Sequence, residues 1–127
     1  MEVNEVNFEE LKGKTLTNVV GLDEESPEAI WFCSDGTQYR MWHWQSCCEM
    51  VSINDVIGDV EDLIGSPILL AEEVSNKTDP HGQEYEPESY TWTFYKLSTI
   101  KGSVTIRWYG ESNGYYSESV SFERTTK

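Results

Sequence analysis

The chain has 127 residues, 38% of them apolar, and sets 23 acidic side chains against nine basic ones for a formal charge of −14. That length suits one domain burying roughly two-thirds of the surface its unfolded chain exposes, and the acidity excludes a broad nucleic-acid-binding face, which needs Lys and Arg to neutralise phosphates. Apolar runs such as Pro67 to Ala71 fall far short of the ~20 residues of a membrane span, and Met1-Glu2-Val3-Asn4-Glu5 lacks the basic start and apolar stretch of a secretory signal, so a cytoplasmic location is expected.

In chain order, Asn7 can cap one helical turn through Phe8 and Leu11, stopped by Gly13. A first strand follows over Thr15 to Leu22. The acidic loop Asp23 to Glu28 separates it from Ala29 to Cys33, and Ser34-Asp35-Gly36 turns the chain into Gln38 to Trp44. Val51 to Val56 fits strand or helix, Gly58 to Leu63 reads as an acidic helical turn, and Ile68 to Val74 as a strand. Ser75 to Ser89, with Pro80 and Pro87, reads as a mobile acidic loop.

Tyr90 to Thr99 and Ser103 to Tyr109 flank Lys101-Gly102, a turn that predicts Leu97 opposite Ile106 and Tyr95 opposite Trp108. A three-residue loop at Ser112-Asn113-Gly114 would then pair Ile106 with Val120 and Val104 with Phe122. The elements describe a mainly β, single antiparallel domain, either a sandwich or a partly open barrel, with one or two short helices. An α+β sheet is the alternative.

On this register Tyr95, Leu97, Val104, Ile106, Trp108, Val120 and Phe122 form a core face. The opposite face presents Trp92, Phe94, Lys96, Arg107, Tyr109, Ser117 and, near the turn, Tyr115. Rings, cations and hydroxyls together can stack a base and hold a phosphate, which makes this face a candidate nucleotide-binding surface that a homo-oligomer could complete. A second layer covering the rings, with Arg107 paired to a carboxylate such as Glu118, is the structural alternative.

Charge divides along the chain. The first 90 residues carry twenty carboxylates against Lys12, Lys14, Arg40 and Lys77, a net of −16, while the last 37 carry +2. Asp55, Asp59, Glu61, Asp62, Glu84, Glu86 and Glu88 are the candidate acidic interaction surface. Asp55, Asp59, Glu61 and Asp62 lack the alternating ligands of a calcium loop and define no acid-base pair. Around His43, Cys47 and Cys48 the spacing is poor for zinc, although His43 and Cys47 are weak metal candidates and Cys33 could approach across the hairpin. Local acidity also disfavours a reactive thiolate. The three cysteines, odd in number and without framework spacing, read as free thiols, so no metal, cofactor or catalytic residue is assigned.

The strings Gly58-Asp59-Val60-Glu61-Asp62-Leu63-Ile64-Gly65, Cys47-Cys48-Glu49, Trp92-Thr93-Phe94-Tyr95 and Ser112-Asn113-Gly114-Tyr115-Tyr116-Ser117-Glu118 resemble a family of small proteins of unknown function from bacteriophages and their bacterial hosts, over about Leu11 to Phe122. The resemblance implies a non-enzymatic inhibitor of host machinery or defence, acting in the host cytoplasm. Two functions are therefore expected. One is protein interaction, the acidic surface occupying a basic site on a host nucleic-acid-binding protein. The other is sequestration of a small anionic nucleotide on the aromatic face.

Overall fold

The structure is a computed structural model that describes residues 4–43, 49–78, 89–112 and 118–125. Among them are nine strands: β1 Asn4–Glu5, β2 Leu16–Val20, β3 Glu28–Cys33, β4 Gln38–Trp42, β5 Met50–Ile57, β6 Leu70–Thr78, β7 Ser89–Thr99, β8 Gly102–Ser112 and β9 Ser121–Arg124. They form two antiparallel sheets, of order β1-β9-β4-β3-β2 and β5-β8-β7-β6. The expected mainly β class holds, as two facing sheets with no closed barrel. The two expected helical turns are present and are of the 3-10 kind. Phe8–Leu11 and Val60–Leu63 are single 3-10 turns, capped by the Asn7 and Asp59 side chains.

Alternation of apolar and polar residues decides which face each strand buries. On β3 the buried residues are Ala29, Trp31 and Cys33, and on β4 they are Tyr39 and Met41, joined by a turn in which the Asp35 carboxylate accepts from the Thr37 amide at 3.0 Å. From the second sheet Ile53, Tyr95, Leu97, Val104, Ile106 and Trp108 face them. Phe8 stands between the layers, 6.3 Å from Trp31, 5.0 Å from Phe122 and 4.7 Å from Tyr95. The Trp108 indole N–H reaches Met41 Sδ at 3.2 Å, a second tie between the sheets.

Several sequence expectations are corrected. The β7–β8 turn is Ile100-Lys101, so Leu97 faces Val104 and Tyr95 faces Ile106, two residues from the expected register. A shift of two keeps every side chain on its face, so the core of this hairpin is as expected. The pairing of Ile106 with Val120 and Val104 with Phe122 does not occur. β8 continues to Ser112 and gives its second edge to β5, while β9 crosses to the other sheet and lies between β4 and β1. β5 competes successfully because Val51, Ile53 and Val56 close the same apolar face. The ladder between β6 and β7 takes residues 75–78 from the expected loop, Ser89 pairs with Ser112 of β8, and the rest of that loop lies outside the described residues.

β5 is a strand throughout, and a bulge explains its mixed pattern. Ile53 pairs with Trp108 and Asp55 with Arg107, leaving Asn54 as an extra residue. The insertion changes the spacing of inward residues from two to three, which blurs strand and helix periodicity in the sequence.

Candidate functional site

The outer face of the β5-β8-β7-β6 sheet brings together Trp92, Phe94, Lys96, Arg107 and Tyr109, as their alternation predicts. Trp92 and Tyr109 are opposite each other, with ring centroids 4.7 Å apart, and Tyr90 extends the row at 6.0 Å from Tyr109. The Arg107 guanidinium lies 5.2 Å from the Trp92 centroid. Trp92, Phe94 and Tyr109 are half-buried and remain in contact with solvent, while Lys96 is exposed. Tyr115 and Ser117 lie outside the described residues.

Arg107 is already engaged. The bulge in β5 presents Asn54 Oδ1, which accepts from Arg107 Nε at 2.8 Å, and places the Asp55 carboxylate 3.7 Å from Nη2. Asp55 therefore takes the role expected of Glu118. The Glu118 carboxylate is instead buried at the end of the sheet, where it accepts the Thr91 hydroxyl at 2.7 Å and the Ser112 hydroxyl at 2.6 Å.

A cleft of about 670 Å³ opens beside this face. Met50 to Asn54 of β5, Tyr109, Pro27 and the carboxylate-bearing Glu24 and Glu25 line it. The β2–β3 loop is tied to β5 by the Glu25 amide donating to the Ile53 carbonyl at 2.6 Å and the Ile53 amide donating to Ser26 at 2.9 Å. Glu25 has φ 70°, a left-handed conformation that costs a non-glycine residue about 1–2 kcal/mol. Burial first, and then a hydrogen bond to Glu111, push the Tyr109 phenol up to about 12, so it remains a neutral ring with a polar tip. The sequence marked the 23–28 loop as acidic, but its meeting with β5 is a long-range contact with no local signal.

Of the other expected acidic residues, Asp59 Oδ1 accepts from the Glu61 amide at 3.0 Å, capping the second 3-10 turn. The Asp62 carbonyl takes the Thr99 hydroxyl, and its carboxylate packs against Gly102. Glu61 is exposed. Glu84, Glu86 and Glu88 lie outside the described residues.

His43, a weak metal candidate in the sequence, forms a buried pair with Glu49. Nε2 lies 2.8 Å from Glu49 Oε2, and Nδ1 lies 2.8 Å from the Ser119 carbonyl oxygen. A carbonyl only accepts, so Nδ1 carries hydrogen, and Nε2 is the nitrogen that meets the carboxylate. The pair joins the end of β4, the start of β5 and the segment before β9. Cys33 does not approach it. It sits at the opposite end of β3, where burial raises its thiol pKa, and Cys47 and Cys48 lie outside the described residues. Among the described residues no group of three or more His, Cys, Asp or Glu is placed to hold a metal, and no helix is long and apolar enough to cross a membrane.

The family model of a domain of unknown function, DUF7448, matches residues 9–122. Neither a curated protein nor a solved structure matches the chain. The chain belongs to the DUF7448 family, over nearly the span in which its motifs resemble small proteins of unknown function.

Proposed function

We propose that the chain is a non-enzymatic protein-interaction module whose acidic surface occupies a basic site on a partner protein. The observation that carries this reading is the fate of its arginines. Arg40 pairs with Glu28, Arg107 with Asp55 and Arg124 with Glu10, so each arginine of the sequence is neutralised by a carboxylate of the same chain. Lys14 is likewise paired with Asp35 at 2.7 Å. The surplus acid faces outward on Glu9, Asp23, Glu24, Glu25 and Glu61, which are exposed. Such a surface attracts cationic partners at long range and speeds encounter. The bacteriophage context that the motifs imply makes a host nucleic-acid-binding protein the partner class, with inhibition as the outcome.

The same pairing argues against nucleotide sequestration. A phosphate at Trp92 would have to displace Asp55 from Arg107 and settle beside the carboxylates of the neighbouring cleft. Binding of host nucleic-acid-binding proteins, measured by calorimetry and by competition with their nucleic acid, tests the proposal. Binding should weaken steeply with added salt. Salt-independent binding, or tight binding of cyclic nucleotides or ADP-ribose derivatives instead, would overturn it.

A further inference from the structure

We infer that the cleft between β5 and the β2–β3 loop is a pocket for an arginine side chain of that basic partner. The inference rests on the interaction reading above and adds the place and chemistry of one contact. The walls are of two kinds. Met50, 57% exposed, Pro27 and the Tyr109 ring offer apolar and aromatic surface, while Glu24 and Glu25 bring carboxylates to one side. An arginine has the matching halves, because its methylene stem packs on apolar groups while its flat guanidinium stacks on a ring and bonds carboxylates. A tyrosine face attracts a cation through its quadrupole, and the raised phenol pKa keeps that face neutral at ordinary pH.

Other occupants fit less well. An anion would meet Glu24 and Glu25, with the nearby Arg107 already held by Asp55 and Asn54. A wholly apolar segment would cover two carboxylates without partners, which costs several kcal/mol per stranded charge. A hydrated metal ion would gain nothing from Met50, Pro27 and the Tyr109 ring. The Ser26 bridge to Ile53 fixes the acidic loop against the strand, so the two sides are held in place before a ligand arrives.

The test uses the full chain labelled with ¹³C at its methionine methyl groups, the Met50 signal being assigned by its loss in Met50→Leu. N-acetyl-arginine methylamide is titrated in, and the citrulline analogue, of similar shape but uncharged, serves as the control. The Met50 methyl should shift saturably with the arginine compound alone. The Glu24→Gln/Glu25→Gln double variant should weaken that binding about fivefold, the equivalent of about 1 kcal/mol from two exposed charge contacts. A Met50 signal that stays fixed, or that responds equally to citrulline, overturns the pocket. An oligoarginine titration separates the two levels of inference. If it still binds in a salt-dependent way while Met50 is silent, the acidic surface stands and the pocket falls; if it does not bind, both fall.

Discussion

Arg107 and Asp55 meet across the β5 bulge at 3.7 Å, and the same guanidinium extends over Trp92 and bonds Asn54. The Arg107 and Asp55 side chains are 34% and 43% exposed, so solvent screens most of their Coulomb attraction. Packing and the Asn54 hydrogen bond carry the rest. Arg107→Ala should therefore destabilise the fold by only about 1 kcal/mol, lowering the melting temperature by about 3–5 °C, with a change in tryptophan fluorescence. Thermal denaturation followed by circular dichroism checks this, and an unchanged midpoint would contradict the structural role.

The His43–Glu49 pair is enclosed, with side chains 4% and 1% exposed. Changing one partner alone breaks the buried pair, so His43→Phe or Glu49→Leu should each cost about 3–5 kcal/mol. Replacing both together by apolar residues of similar volume, His43→Phe with Glu49→Leu, should cost less than either single change. Urea denaturation of the three variants measures the coupling, and additive losses would mean that the pair does not act as a unit.

Gly58 has φ 112°, and an added Cβ would lie 2.5 Å from the Ser103 carbonyl oxygen. Gly36, with φ 92°, has open space around it. Gly58→Ala should consequently cost about 2 kcal/mol or more, and Gly36→Ala about 1 kcal/mol from backbone strain alone. Comparing their denaturation midpoints tests whether backbone contact, in addition to turn conformation, requires glycine beside the second 3-10 turn.

At alkaline pH the tyrosines should limit stability. Tyr39 and Tyr95 are raised well above the ordinary phenol value of 10.0, first by burial and then by Glu10 and Glu73 respectively, and Tyr109 is raised to about 12. Each binds its proton more tightly folded than unfolded, so the stabilisation is complete below pH 10 and is lost as pH rises above it. Ultraviolet titration should show delayed phenolate formation by these residues, and Tyr95→Phe should reduce the alkaline loss of stability.

Much of the fold was legible because its signals are local. Asp35-Gly36 specifies a turn, Asn7 and Asp59 cap their own chain segments, and alternation on β7 and β8 assigns Trp92, Arg107 and Tyr109 to one face even though the register was displaced by two. The string Ser112-Asn113-Gly114 is an equally local signal that misled, because it invited a three-residue hairpin loop where β9 belongs to the other sheet.

The sequence by itself determined the charge, the strand-forming character and the two faces of each regular strand, since these depend on side-chain chemistry and the two-residue period of extended backbone. The tertiary structure alone decided which strands became neighbours. β5 beside β8 supplies the bulge that holds Arg107, the β2–β3 loop against β5 encloses the Glu24 and Glu25 cleft, and His43 finds Ser119 across the fold. Those contacts join residues far apart in sequence, and they are selected by the burial of a shared apolar core rather than by any preference of the residues that meet.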